Sequence, residues 1–321
     1  MKRICLSAIA AVLMPLAAWT SEPPVPAWPL PMDGESVVGE VQYVFARHED
    51  TLLDIGRRHS VGYEEMVAAN PGVDAWLPGE GTRVRVPTRY VLPDAPREGI
   101  VVNLPEHRIY YYPKPRRGEP PQVVTFAISI GKMDWKTPLG LTRIVNKRER
   151  PAWYPPESVR KEHEEEGRPL PKVVPPGPDN PLGDFAMRLG IPGGAYLIHG
   201  TNRPAGVGMQ VTHGCMRMYP EDIEWLYPQV PVGTSVRIVD QPIKMGWLDG
   251  TLYMEVHESL EGHETAPSDN LTNITRLLVA ATQDRIAPID WAGAERAVFE
   301  ATGIPEPMSL APATSAHASG F

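Results

Sequence analysis

Apolar positions along the chain follow two regimes. Between residues 41 and 93, short alternating runs enclose two helical ones. Gln42-Tyr43-Val44-Phe45 has strand composition, and Thr82-Arg83-Val84-Arg85-Val86-Pro87 alternates as a half-buried strand does. Between them, Leu52, Leu53, Ile55 and Gly56 follow the N-cap candidates Asp50 and Thr51, and residues 63–69 form a second helical run stopped by Asn70-Pro71-Gly72. The predicted order is strand, helix, helix, strand. From 98 to 239 strands dominate, at 100–103, 108–112, 123–130, 194–198 and 234–239, with a helix opened by Pro220-Glu221-Asp222 and continued by Ile223, Trp225 and Leu226. The run Tyr110-Tyr111-Tyr112 reads as strand packing. Between 151 and 190 lies a long Pro-rich insertion with a charged middle, of the kind that forms lids or binding loops or stays disordered. After Asp240 the pattern predicts a strand at 252–256, helices at 270–282 and 291–302, and a disordered tail from 311 to 321.

The N-terminus differs from all of this. Lys2 and Arg3 precede an apolar stretch at 4–18, which is shorter than the roughly 20 residues of a membrane span and reads as a cleavable export signal. The expected organisation is a signal peptide at 1–20, a Pro-rich linker at 21–40, a small domain at 41–93, a β-rich domain at 98–239 and a C-terminal extension at 240–321. No later segment predicts a transmembrane anchor, so the mature protein is expected outside the cytoplasm. Net charge is −8, which excludes the basic face that nucleic-acid binding needs.

The cysteines narrow the chemistry. There are two, Cys5 and Cys215, and Cys5 lies in the segment expected to be removed. A lone thiol in an oxidising compartment cannot form a disulfide within its own chain. Cys215 follows Thr212-His213-Gly214, and His199-Gly200-Thr201-Asn202 lies upstream. A thiol needs a base or a cation beside it to become nucleophilic at neutral pH. His199 ends an apolar strand 16 residues before Cys215, room for a loop that returns to the same edge, with Gly206 and Gly208 to turn it. One ring nitrogen must then be held, and the Gly200 carbonyl is the nearest candidate. Backbone N–H groups around Gly214 and Cys215 could form an oxyanion hole. Acyl transfer through a thioester fits these parts. Arg217 either pairs with a carboxylate of the fold or receives one from substrate. His213 either shapes the pocket or only packs, and Thr201 and Asn202 form a turn or touch substrate. Zinc binding is not expected, because no His-Glu-x-x-His or paired-cysteine spacing occurs.

These residues resemble a known family. His199 with Thr212-His213-Gly214-Cys215 is similar to the signature of L,D-transpeptidases with a YkuD catalytic domain. Gly131, Thr137-Pro138-Leu139-Gly140, Pro175-Pro176-Gly177-Pro178, Asn180-Pro181-Leu182-Gly183 and residues 215–223 resemble the ErfK/YbiS/YcfS/YnhG group within it. Residues 41–93 resemble a LysM domain through Tyr43-Val44, Asp50-Thr51-Leu52, Asn70-Pro71-Gly72, Leu77-Pro78-Gly79 and Val84-Arg85-Val86-Pro87. The resemblance implies a mainly β fold, a β-sandwich with short helices behind a βααβ module. It implies a periplasmic enzyme without metal or organic cofactor, whose partners are peptidoglycan stem peptides and glycan. Cys215 would attack the third residue of a tetrapeptide stem and expel D-alanine, with His199 moving protons and Gly200 orienting it. His213, Gly214, Arg217, Thr201 and Asn202 would line the site. The acyl group would pass to a second stem, as a 3→3 cross-link, or to a lysine of an envelope lipoprotein, and carbapenems would acylate the cysteine. Two other readings stand beside this one: a hydrolase that releases the thioester to water, and a non-catalytic wall-binding protein acting through its LysM-like module.

Overall fold

A computed structural model describes residues 25–32, 34–132, 137–193, 196–260, 267–285 and 287–309. The segment at 1–20 expected as a signal peptide, with Cys5, the expected tail at 311–321, and Gly194 and Ala195 at the head of one predicted strand lie outside the described residues. Among the described residues no helix is long and apolar enough to cross a membrane.

The stretch expected as a linker supplies strand β1 (Ala27–Pro29), which pairs antiparallel with a strand of the main sheet, Trp28 opposite Val123. Its apolar residues explain the docking. Trp28 meets the Tyr90 ring edge-on at 5.8 Å, and prolines are tolerated on an edge strand. Next comes the βααβ unit: β2 (Val37–Phe45), α1 (Leu52–Arg58), α2 (Tyr63–Ala69) and β3 (Arg83–Val91). Thr51 caps α1 through a reciprocal box with Asp54, satisfying two amides that the first turn would otherwise leave open. Leu52, Ile55, Val61, Met66, Val84 and Val86 fill its own core.

The larger unit contains β4 (Gly99–Asn103), β5 (Arg108–Tyr112), β6 (Gln122–Ala127), β7 (Ile130–Gly131), β8 (Gly140–Glu149), α3 (Glu157–Glu165), β9 (Phe185–Leu189), β10 (Leu197–His199), β11 (Gln210–Thr212), β12 (Met216–Arg217), α4 (Pro220–Gln229) and β13 (Ser235–Val239). Nine strands join in the order β1-β6-β5-β4-β13-β8-β9-β10-β12. The fold is mainly β with short helices, but the expected sandwich of two separate sheets is corrected to one continuous curled sheet. The cause is β8. Residues 140–143 pair with β13, residues 144–149 pair with β9, and a register irregularity between Ile144 and Asn146 lets one strand serve both halves. Side chains from both halves meet Ile223, Leu226 and Tyr227 of α4 in one core. The three tyrosines of β5 are buried strand residues.

The C-terminal extension forms β14 (Ile243–Leu248), β15 (Thr251–Val256) and β16 (Glu306–Pro307) in one small sheet, with α5 (Pro267–Thr282) and α6 (Trp291–Glu300) packed on it. Leu252, Met254, Ile274, Leu278 and Ala294 make its core.

Candidate active site

Strands β10 and β12 position the cysteine and the histidine. They run parallel, Ile198 opposite Met216 and His199 opposite Arg217. Side chains alternate with a period of two, and partners across a ladder point the same way. Continuing the register by one residue sets Cys215 beside Leu197, so Cys215, Arg217 and His199 project from one face. Ile198 and Met216 enter the core from the other. The arrangement is held from several sides. Arg217 exchanges two backbone hydrogen bonds with Ser129, at 2.8 and 3.2 Å, and Met218 N–H donates to the His199 carbonyl at 2.9 Å. The Thr212 hydroxyl donates to the Cys215 carbonyl at 2.5 Å, and the Thr137 hydroxyl to that of Gly214 at 3.3 Å. Gly214 itself has φ +89°, a conformation that side chains disfavour.

His199 is buried, and its Nδ1 lies 2.6 Å from the Gly200 carbonyl oxygen. A carbonyl only accepts, so Nδ1 carries the proton and Nε2 holds the lone pair. Burial, helped by the nearby Arg217 charge, pushes the imidazole down to about 3, while the Gly200 and Leu182 carbonyls pull against that shift. Burial also raises the Cys215 thiol, opposed by a hydrogen bond to the Leu197 backbone and by Arg217. The resting pair is therefore a neutral thiol and a neutral imidazole. Gly200 is closely packed. A Cβ there would come within 3.2 Å of Ile223 Cγ2 and 3.4 Å of the Leu182 oxygen.

The 151–190 insertion reaches the same place. His213 Nε2 lies 2.6 Å from Glu162 Oε2 on α3, and this bond holds the Glu162 carboxyl below the usual carboxylate range. Arg217 is half-buried, and among the described residues no ion pair ties it to a carboxylate. Thr201 accepts from Arg203 N–H at 3.0 Å, a local turn, and Asn202 Nδ2 donates to the Pro178 carbonyl at 3.2 Å.

Two residues near the site were not singled out from sequence. Glu162 carried no signal, being one acid in a charged run. Asn180 carried one, the quoted Asn-Pro-Leu-Gly run. Away from the cysteine, Glu106, Glu255 and His257 bring ligand-type atoms within 4.8 Å of one another. Lys244 Nζ already occupies that cluster, 2.8 Å from each carboxylate, so a resident charge satisfies the group.

The L,D-transpeptidase catalytic domain, YkuD, matches residues 97–238. "Probable L,D-transpeptidase YcfS" of Escherichia coli K12 is 41% identical over 237 residues, 73% of this chain and 73% of that protein. "Probable L,D-transpeptidase YbiS" of the same organism is 41% identical over 251 residues, covering 75% and 80%. "Probable L,D-transpeptidase ErfK/SrfK" of Salmonella typhimurium is 41% identical over 238 residues, covering 73% and 75%.

Proposed function

Because the chain belongs to the L,D-transpeptidase family with a YkuD catalytic domain, we propose that it is a cysteine acyltransferase acting on the tetrapeptide stems of peptidoglycan in the periplasm. The observation that carries this reading is the parallel β10–β12 register, which gives Cys215 and His199 a common face while Gly200 holds Nδ1.

In the first half-reaction His199 Nε2 takes the thiol proton as sulfur attacks the carbonyl carbon of the third stem residue. A C–S bond forms, and the resulting oxyanion is stabilised by N–H groups at Gly214 and Cys215. The C–N bond to the terminal D-alanine then breaks, and the imidazolium returns its proton to the departing amine. In the second half-reaction a neutral amine attacks the thioester, its proton passes to His199, and the thiol is regenerated. Arg217, half-buried beside the sulfur and without a carboxylate partner among the described residues, is suited to a carboxylate of the donor stem. His213, Thr201 and Asn202 shape the walls around it. The βααβ unit, as a LysM module, would hold glycan near the site. The acceptor is a second stem or a lysine of an envelope lipoprotein.

A purified disaccharide-tetrapeptide, supplied with a second stem or a lysine-ended peptide and followed by mass, tests this. Loss of D-alanine with a gain of the acceptor's mass supports transfer. Trimmed stems alone mean hydrolysis. Unchanged product formation by Cys215→Ala and His199→Ala would remove both sulfur and imidazole from the chemistry and leave a wall-binding protein.

A further inference from the structure

We infer that Asn180 is a positioning residue for the His199 imidazole, an assignment that rests on the cysteine–histidine reading above. Its side chain fixes the turn that packs against the Gly200 peptide, whose carbonyl holds the ring, and ties that turn to both arms of the insertion carrying α3.

Asn180 is fully buried. Its Oδ1 accepts from Leu182 N–H at 2.9 Å. Its Nδ2 faces three carbonyls: Pro151 at 2.8 Å on one arm of the insertion, and Pro175 at 3.1 Å and Val174 at 3.3 Å on the other. The two arms also bond directly, through reciprocal Trp153–Val174 backbone hydrogen bonds of 2.9 and 2.8 Å. One amide group therefore closes the neck of the insertion and sets the Leu182 backbone. That turn lies against the peptide that orients the histidine. Gly183, at φ +64°, packs so closely that a Cβ would come within 2.9 Å of Thr201 N and 3.1 Å of Gly200 C. Hence the peptide whose carbonyl holds Nδ1 is backed directly by the turn that Asn180 fixes.

The residue type follows from these partners. The position needs an acceptor for one N–H and donors for carbonyls on the opposite side, which a primary amide supplies on two neighbouring atoms. A leucine of similar volume would leave a buried N–H and buried carbonyls unpaired. A carboxylate would turn negative oxygen toward them. The consequence for the reaction is geometric. His199 Nε2 must face sulfur, and misplacing a reacting group by about 1 Å can cost 10²-fold in rate.

The test compares wild type, Asn180→Ala, Asn180→Asp and Cys215→Ala. Carbapenem acylation of Cys215 is followed by mass from pH 5 to 8, together with kcat and KM on the tetrapeptide, and rates are normalised to titratable thiol so that unfolded protein does not count. Asn180→Ala should acylate about 10- to 100-fold more slowly, through kcat with KM within about threefold, and with an altered pH profile. Asn180→Asp should recover toward wild type as pH falls, because a protonated carboxyl again offers one donor and one acceptor. If Asn180→Ala does not fold, this low-pH recovery carries the test. Normalised rates and pH profiles equal to wild type in both variants would overturn the positioning role. Acylation persisting in Cys215→Ala would instead overturn the cysteine reading beneath it.

Discussion

At the scale of the residue, the resting state of the sulfur and the imidazole decides how the site works. Both are driven toward their neutral forms by burial, the imidazole to about 3 and the thiol upward. A preformed thiolate–imidazolium pair would need the opposite shifts. Alkylation of Cys215 by a small neutral reagent such as iodoacetamide should therefore climb with pH through and beyond the ordinary thiol range near 8.5, with no plateau between pH 5 and 8. A flat rate in that window would mean a standing ion pair. His199→Ala should lower stem-dependent acylation by about 10²- to 10⁴-fold, as expected for loss of a positioned base. Cys215 stands out as a lone thiol, His199 as a strand-end histidine 16 residues before it and Gly200 as the nearest carbonyl, and all three fall in the motifs that carry the family resemblance. Their shifted protonation was not legible. It arises from burial beneath elements far away in sequence, and no local pattern encodes it. Nor did any local pattern connect Glu162 to His213 across 51 positions.

At the scale of the element, legibility followed burial pattern. Helix α2 and strands β4 and β5 are readable because their apolar residues form short runs that end at turn signals. β8 is not, since only Ile144 of its ten residues is buried and the strand reads as a polar loop. β9 was hidden by the prolines that precede it, and α3 by its charge, with Val159 its one buried side chain. This helix hangs on few contacts, so its bond to His213 matters more for where it rests than for global stability. Glu162 is over a third exposed, and ion pairs of that kind contribute about 0–1 kcal/mol. Glu162→Ala should leave the melting temperature nearly unchanged while residues 157–166 become more readily cut by protease. The carboxyl is held low by His213, so the bond is present above the ordinary range near 4 and lost as pH falls through the lowered value. Protease sensitivity of the wild-type helix should accordingly rise on acidification toward pH 3. Equal cutting of variant and wild type at pH 7 would sever α3 from the site.

At the scale of the whole molecule, buried charge joins the three units. Lys244 of β14 pairs with Glu106 and Glu255, each at 2.8 Å, and donates to the Val91 carbonyl at 2.6 Å, while Glu255 accepts from Val91 N–H at 2.5 Å. The end of β3 is thus bonded on both sides by the C-terminal extension. Lys244→Met would leave two buried carboxylates without their ammonium, a loss of about 3–5 kcal/mol readable in urea unfolding. The βααβ unit also meets α4. Arg57 forms a two-pronged ion pair with Glu221 at 2.7 and 2.9 Å, Tyr219 donates to the Val61 carbonyl at 3.1 Å, and Ser60 donates to Asp222 at 2.8 Å. Asp222 is the weak member. Its Oδ2 is buried with no hydrogen-bond partner among the described residues, and burial, with Glu221 beside it, raises its carboxyl to about 7. Since the folded value lies above the unfolded one, the folded protein holds a proton that the unfolded chain has released. That contribution is complete below the ordinary range near 4 and is lost as pH rises through about 7. Asp222→Asn keeps the acceptor for Ser60 and cannot ionise. Its advantage over wild type should be near zero at pH 3, grow with pH, and reach on the order of 4 kcal/mol by pH 8. Denaturant melts at pH 4, 6 and 8 give the comparison, and a variant-to-wild-type difference independent of pH would mean that Asp222 is already charged in the folded protein.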